Sequence, residues 1–322
     1  MKLNPFFFFA LIASALFFFS CNSDSKKSEK QVNKNDPEEN PVNNLSFKDV
    51  DGIRFYEVKR RFKNGLSFNE VGFQQEPTWI IQFKAPDTML AYSPEKQGME
   101  AFYLQYDHGK VYNFAREFFR AIAINKDSLV LQRLQVDGKV ISNDIRSDVY
   151  CIYYTKDYIE NKLKTTVGEL QRSSPADTAY IKKLSERTYR NPSNADTAFA
   201  ARQPVVFTPK NAYITVEKQS TVDALNNRTR AYDYLYPEYR IVIKRSYKQF
   251  AYRFSVVVDS KGQMYVNRVE GVMKEDMPHR KKLLQGIVDV YLKNMLTISP
   301  GTTLGIPHSS EITLNVAGKL AP

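Results

Sequence analysis

Alternating and clustered apolar positions divide the chain into two patterned regions. In the first, Trp79-Ile80-Ile81-Gln82-Phe83 and Ala101-Phe102-Tyr103-Leu104-Gln105-Tyr106 carry the β-branched and aromatic content of strands, bounded by Pro and Gly. After the turn signal Asp107-His108-Gly109, the residues Val111, Phe114, Ala115, Phe118 and Ile122 recur along one stripe, which predicts an amphipathic helix. Leu129–Val136, Asp137-Gly138 and Lys139–Ile141 predict a hairpin, and Val149–Tyr154 a further strand, with a helical or irregular piece to Arg172. Residues 46–172 are therefore expected to form an α+β domain.

The second region starts near Pro204. Strands are predicted at Tyr213–Glu217, Tyr239–Arg245 and Phe250–Val258. Asp259-Ser260-Lys261-Gly262 closes a hairpin, with Gly262 suited to a positive φ, and Met264–Val269 returns. Pro278 suits a first helical turn, and Leu284, Ile287, Val288, Tyr291 and Met295 form the apolar stripe of the helix that follows. Glu311–Val316 alternates as a last strand. Between the two regions, residues 173–203 are rich in Ser, Pro and Asn and predict a linker. Ala-Asp-Thr-Ala occurs twice in it, at 176–179 and 195–198, as a coincidence of small residues. The fold class expected is α+β: two small domains of antiparallel sheet with packed helices, 46–172 and 204–322.

What precedes residue 46 has a different pattern. Lys2 is followed by Phe6 to Phe19, 14 residues without a charge. As a helix this run reaches about 21 Å, short of the ~30 Å hydrocarbon core of a bilayer, so it reads as a signal-peptide core rather than a membrane span. Ser20 and Cys21 follow directly. A small residue before a cysteine at the end of such a core resembles the lipobox of bacterial lipoproteins, although Phe18 stands where that family prefers Leu. The resemblance implies removal of residues 1–20 and acylation of Cys21, which would hold the chain on a membrane. Residues 21–45 have almost no apolar side chains and predict a disordered tether. Asn22, where Asp would be an inner-membrane retention signal in some bacteria, leans the expected location to the outer membrane, on its periplasmic face.

The chain of 322 residues carries 46 Lys+Arg against 35 Asp+Glu, a net charge of +11. The excess is uneven: residues 46–172 have 19 basic and 17 acidic side chains, and residues 173–322 have 22 and 13. An electrostatic partner is therefore expected to meet the second region. Two cysteines, Cys21 and Cys151, exclude a disulfide framework or a zinc cluster, and Cys151 reads as a small buried hydrophobe.

Over the last ninety or so residues, Tyr236-Pro237, the Asp259–Gly262 hairpin, the helix to Met295, Pro300-Gly301, Gly305-Ile306-Pro307 and Glu311–Val316 follow one another in an order that resembles the C-terminal domain of TonB-type energy transducers. Leu296 and Ile298 stand where that family has aromatic residues, and Lys261 where it has the turn acid. The resemblance implies a partner module that binds an extended segment by strand addition.

Chemistry is sparse. His108, His279 and His308 lie in predicted turns or at a helix start, without a second ligand at metal spacing, and read as solvated loop residues. No nucleophile, phosphate-loop or dinucleotide motif occurs, so no cofactor is expected and an enzyme is disfavoured. A glycan-processing hydrolase built on a folded carboxylate pair would leave no motif and stays as an alternative. Tyr232, Tyr234 and Tyr236, interleaved with Arg240 and Arg245, are the candidate binding residues, because alternating tyrosines cannot all face inward and suit stacking. The function expected is a membrane-anchored, non-enzymatic binding module for an envelope protein or peptidoglycan, with no nucleic-acid partner.

Overall fold

A computed structural model describes residues 46–138, 140–142, 147–221 and 229–320. The expected signal peptide, Cys21 and the tether lie outside the described residues. Val42–Pro322 is one compact unit, and its three hydrophobic clusters and every element below lie within it.

The first region is a barrel. Its strands are β1 (Arg54–Phe62), β2 (Ile80–Lys84), β3 (Thr88–Ser93), β4 (Gly98–Tyr103), β5 (Gln105–His108), β6 (Val111–Phe114), β7 (Glu117–Ile124) and β8 (Ser128–Leu134). A small hairpin, β9 (Val136–Asp137) and β10 (Val140–Ile141), leads to β11 (Val149–Thr155). The sheet order is β4-β3-β2-β1-β11-β8-β7-β6-β5, antiparallel throughout. Laid flat, nine strands about 4.8 Å apart would hold the outer two roughly 38 Å from each other. Only Leu104 separates β4 from β5, and one residue spans less than ~4 Å. The sheet must therefore curl until its edges meet. β4 and β5 act as the two halves of one bent stave, the first paired with β3 and the second with β6.

The described residues, mostly antiparallel sheet with a few helices, fit the expected α+β class, but this large curled sheet was not anticipated for the first region, and the predicted helix over 111–122 is absent. Val111–Phe114 and Glu117–Ile124 are strands joined by Ala115-Arg116, both in the left-handed region (φ 49° and 64°), as a two-residue hairpin turn requires. A bulge between Ala121 and Ala123 breaks the alternation that would have identified β7.

The barrel is filled. Phe55, Ile81, Phe83, Met89, Phe114, Leu129 and Leu131 are buried, and Phe47, from the 3-10 turn Phe47–Val50, stacks on Phe83 at 4.1 Å. A barrel of about this many strands is just wide enough for side chains to fill it or for one small ligand. Deeper along the same interior, a bulge in β1 turns both Glu57 and Arg60 inward. The Glu57 carboxylate accepts from Arg60 Nε (2.7 Å) and from the backbone N–H groups of Thr78 and Trp79 (2.9 Å each). Burial, then the Glu57 charge, pushes the neighbouring Cys151 thiol far above its ordinary value, so Cys151 behaves as a buried hydrophobe.

The stretch expected as a linker is structured instead. After α1 (Val167–Gln171) comes α2 (Pro175–Arg190), started by a capping box between Ser174 and Asp177 with Pro175 at its first position. The first Ala-Asp-Thr-Ala lies in that helix and the second in turns, so they are not a duplicated element. Ile181 and Leu184 of α2 pack with Phe68 and Phe199.

The second region holds β12 (Val206–Pro209), β13 (Ile214–Lys218), α3 (Arg230–Leu235), β14 (Glu238–Lys244), β15 (Phe250–Val258), β16 (Met264–Val269) and α4 (Met277–Ile287). A π-helical turn, Val288–Leu292, extends α4. Then come β17 (Leu296–Ser299), β18 (Thr302–Thr303), β19 (Ile306–Pro307) and β20 (Ser310–Lys319). The main sheet has the order β13-β14-β20-β15-β16, with β14 and β20 parallel. Leu284, Ile287, Val288 and Leu292 bury one face of it against Ile241, Phe254 and Leu314. No helix of the described residues is long and apolar enough to cross a membrane.

His308, expected in solvent, is fully buried. Its ring stacks on Phe199 at 3.6 Å, Nδ1 donates to the Ser309 carbonyl (3.1 Å) and Nε2 accepts from the Thr303 hydroxyl (3.0 Å). Desolvation lowers its pKa to about 4. The folded protein thus keeps the ring neutral at a pH where the unfolded chain protonates it. Stability should fall as pH drops from 6.5 towards 4, by up to roughly 3 kcal/mol. Urea midpoints measured across that window should flatten in His308→Gln; an unchanged slope would refute the assignment.

Candidate functional site

The open face of the main sheet carries a groove of 770 Å³. β20 supplies Glu311, Ile312 and Thr313, β15 supplies Ser255, and β16 supplies Asn267, Arg268 and Val269, followed by Glu270. Met277 and Lys281 reach it from α4, and Leu235, Tyr236 and Pro237 form the opposite rim. The strand alternation that buries Ile312 and Leu314 turns Glu311, Thr313 and Asn315 to this face.

Glu311 organises the floor. It accepts from Arg268 Nη2 (2.7 Å) and Nε (3.1 Å), from the Ser255 hydroxyl (2.6 Å) and from Asn267 Nδ2 (2.9 Å). Burial would raise its carboxyl, but these donors outweigh that and hold the pKa below the usual glutamate value. A second chain of ion pairs runs beside it. Arg253 bonds Glu270 (3.1 Å) and Glu238 (2.6 Å), and Glu238 accepts from Asn315 (2.7 Å). Arg253 also lines an adjoining concavity of 460 Å³ with Gln219, Arg240, Tyr252 and Asn315. The two concavities therefore share one polar seam. Glu311 is held ionised and is therefore not set up as a protonated general acid.

The five candidate binding residues are not brought together. Tyr236 is at the groove rim, 64% exposed, with the Tyr232 ring 5.4 Å from its own. Arg240 lies in the adjoining concavity. Tyr234 faces inward, because residues 230–235 are helical rather than extended. Its hydroxyl accepts from the Gln74 backbone (3.1 Å) under the Arg202 guanidinium (4.5 Å). Arg245 stands past the far end of β14, with Tyr213. Sequence reasoning did not single out Arg268, Asn267, Ser255 or Glu311. Their only trace was as polar alternates in predicted strands.

Strand addition at Glu311–Val316 is ruled out by geometry, because β20 is central and both its edges are bonded, to β14 and β15. The open edges of this sheet are β13 and β16. On β16, Gln285 of α4 stands in for a strand: Oε1 accepts the Val266 N–H (3.0 Å) and Nε2 donates to the Met264 carbonyl (3.1 Å). Among the described residues no group of three or more His, Cys, Asp and Glu is placed to hold a metal ion.

No family model and no curated protein matches this chain. Among solved structures, it is similar to the siderocalin Ex-FABP, described as functioning through dual ligand specificities. The identity is 14%, over 44% of this chain and 82% of that one, with a TM-score of 0.20. A likeness that low carries neither fold nor ligand across.

Removing the Glu311 charge should loosen the groove floor. Glu311→Gln is expected to cost roughly 1.5–3 kcal/mol at neutral pH, the range for hydrogen bonds to a charged group. Because the folded carboxyl titrates below 4.5, the difference between variant and wild type should shrink as pH falls through and below that value. Urea denaturation at pH 7 and at low pH measures both.

Proposed function

We propose that this chain is a lipid-anchored envelope protein that works as a binding module, with the groove around Glu311 and Arg268 as its recognition surface. The observation that carries the reading is the groove itself. It combines an apolar strip (Leu235, Val269, Met277) with a preset Arg268–Glu311 pair and one exposed aromatic, Tyr236. Apolar contact area beside oriented charges of both signs suits a segment of another protein. The lining charges, Arg268 and Lys281 against Glu270 and Glu311, cancel, which disfavours a strongly anionic polymer there. Binding by addition to β16 would have to displace Gln285. A hydrolase would need one of two engaged carboxylates to be released.

A photo-crosslinking residue placed at Tyr236 should capture a defined envelope protein, while one at Tyr103, exposed on the barrel, should not. Met277→Glu should abolish the capture. Equal labelling from both positions, or co-sedimentation with peptidoglycan sacculi in its place, would reject the protein-segment reading.

The anchor is tested separately. Mass spectrometry of the mature N-terminus should find acylated Cys21, and Cys21→Ser should release the protein from the membrane fraction. An unmodified N-terminus cut elsewhere would remove the anchor from the proposal.

A further inference from the structure

The far end of the main sheet has a different chemistry. β13 starts where β14 ends, β20 runs parallel to β14, and β15 starts beside the end of β20. This topology gathers residues 210–213, 244–249 and 319–320 at one place, tied by Lys244 N–H to the Tyr213 carbonyl (2.7 Å) and Ser246 N–H to the Lys319 carbonyl (2.8 Å). Lys244, Arg245, Lys248 and Lys319 are all exposed there, and these three segments contain no carboxylate. The ion pairs of the region use other cations: Lys218, Arg253, Arg268 and Lys293.

Lys244 and Lys319 are direct cross-strand neighbours. Like charges so placed destabilise a sheet, so this arrangement works against folding unless an anion relieves it. Arg245 is additionally held at φ 60°, its guanidinium bonded to the Tyr213 hydroxyl (2.9 Å). Between the cations, Tyr213, Tyr247 and Leu320 are 43%, 69% and 57% exposed. None of these residues lines the groove or the adjoining concavity.

We infer that this end of the sheet docks on an anionic phospholipid bilayer. Four unpaired cations spread over strand ends match an array of headgroup phosphates, and exposed tyrosines with an aliphatic side chain suit the bilayer interface. Stacking on bases or sugars fits less well. One face of Tyr213 is covered by Arg245 at 4.6 Å, and one face of Tyr247 by Lys248 at 5.4 Å. The inference uses neither Cys21 nor the groove, so it can fail while the proposed function stands, and the reverse.

The test uses the Val42–Pro322 unit, which lacks the N-terminal apolar run. It should float with vesicles of phosphatidylcholine containing phosphatidylglycerol, and not with phosphatidylcholine alone. The association should weaken as salt is raised. K244Q/R245Q/K248Q/K319Q should lower binding by up to roughly a thousandfold, the combined loss of four cations near a charged surface, while the melting temperature holds or rises. Should that variant fold poorly, Lys319→Glu alone is expected to weaken flotation without loss of stability, since it puts an opposite charge beside Lys244. Equal flotation of wild type and variant, or no flotation of either, would overturn the inference. So would binding to heparin that depends on these residues in the absence of vesicle binding, which would assign the surface to a soluble polyanion.

Discussion

The arrangement of this chain turns on one buried carboxylate. Asp177 closes the capping box of α2 and has no exposed surface. It accepts from the Ser67 N–H (2.7 Å), the Ser174 N–H (2.7 Å) and the guanidinium of Arg61 on β1. Burial raises its carboxyl, and these donors together lower it below the ordinary value. A charge this deep is tolerated only with every donor in place, so α2, the loop after β1 and the barrel wall hold one register. The same helix sets the start of β20. Thr188 accepts from Ser309 N–H (3.3 Å) and the Tyr189 hydroxyl donates to the Pro307 carbonyl (2.6 Å). Glu311 follows two residues later. The groove floor is thus positioned by a chain of contacts that begins inside the stretch that reads as a linker.

The barrel has a different part in this. Closure through Leu104 brings its sheet edges together, and its interior is packed with aromatic side chains and holds the Glu57–Arg60 pair. It presents a rigid wall to which the second region is fastened. Arg202 makes that fastening, bonding Gln74 (2.9 Å) and Glu76 of the loop after β1 while covering the Tyr234 ring. Tyr234 therefore contributes to the seam between barrel and sheet, where stacking on a ligand is impossible.

How legible each part was follows from the range of the interaction that decides it. The five strands of the main sheet and the α4 stripe could be read directly from their apolar pattern, whereas the short strands β12, β17, β18 and β19 were not. The helix expected over 111–122 failed because aromatic and β-branched residues at 111, 114 and 118 also suit a strand. The turn that separates the two strands has Ala-Arg where Asn-Gly would have announced it. Residues 173–203 look like a linker by composition, yet Ser174, Pro175 and Asp177 are a complete helix start. His308 was out of reach, since its burial depends on Phe199, more than a hundred residues away. The groove was equally hidden: Ser255, Arg268 and Glu311 meet only through pairing of β15 with both β16 and β20.

Charge and concavity separate along this sheet, and that separation limits what each surface can recognise. The groove lies where β14 and β20 start, and the unpaired cations lie where those strands finish. Seven residues of β14 at about 3.3 Å each place the two roughly 20 Å apart, beyond a Debye length of about 8 Å at physiological salt. The four charged side chains lining the groove sum to zero, whereas the three described segments at the far end contain no Asp or Glu. The basic excess of residues 173–322 therefore gives the groove little electrostatic pull. A partner drawn by that excess and a partner seated by shape and paired charge would occupy different ends of one sheet. Both could be held at once, with β14 and β20 as the rigid spacer between them.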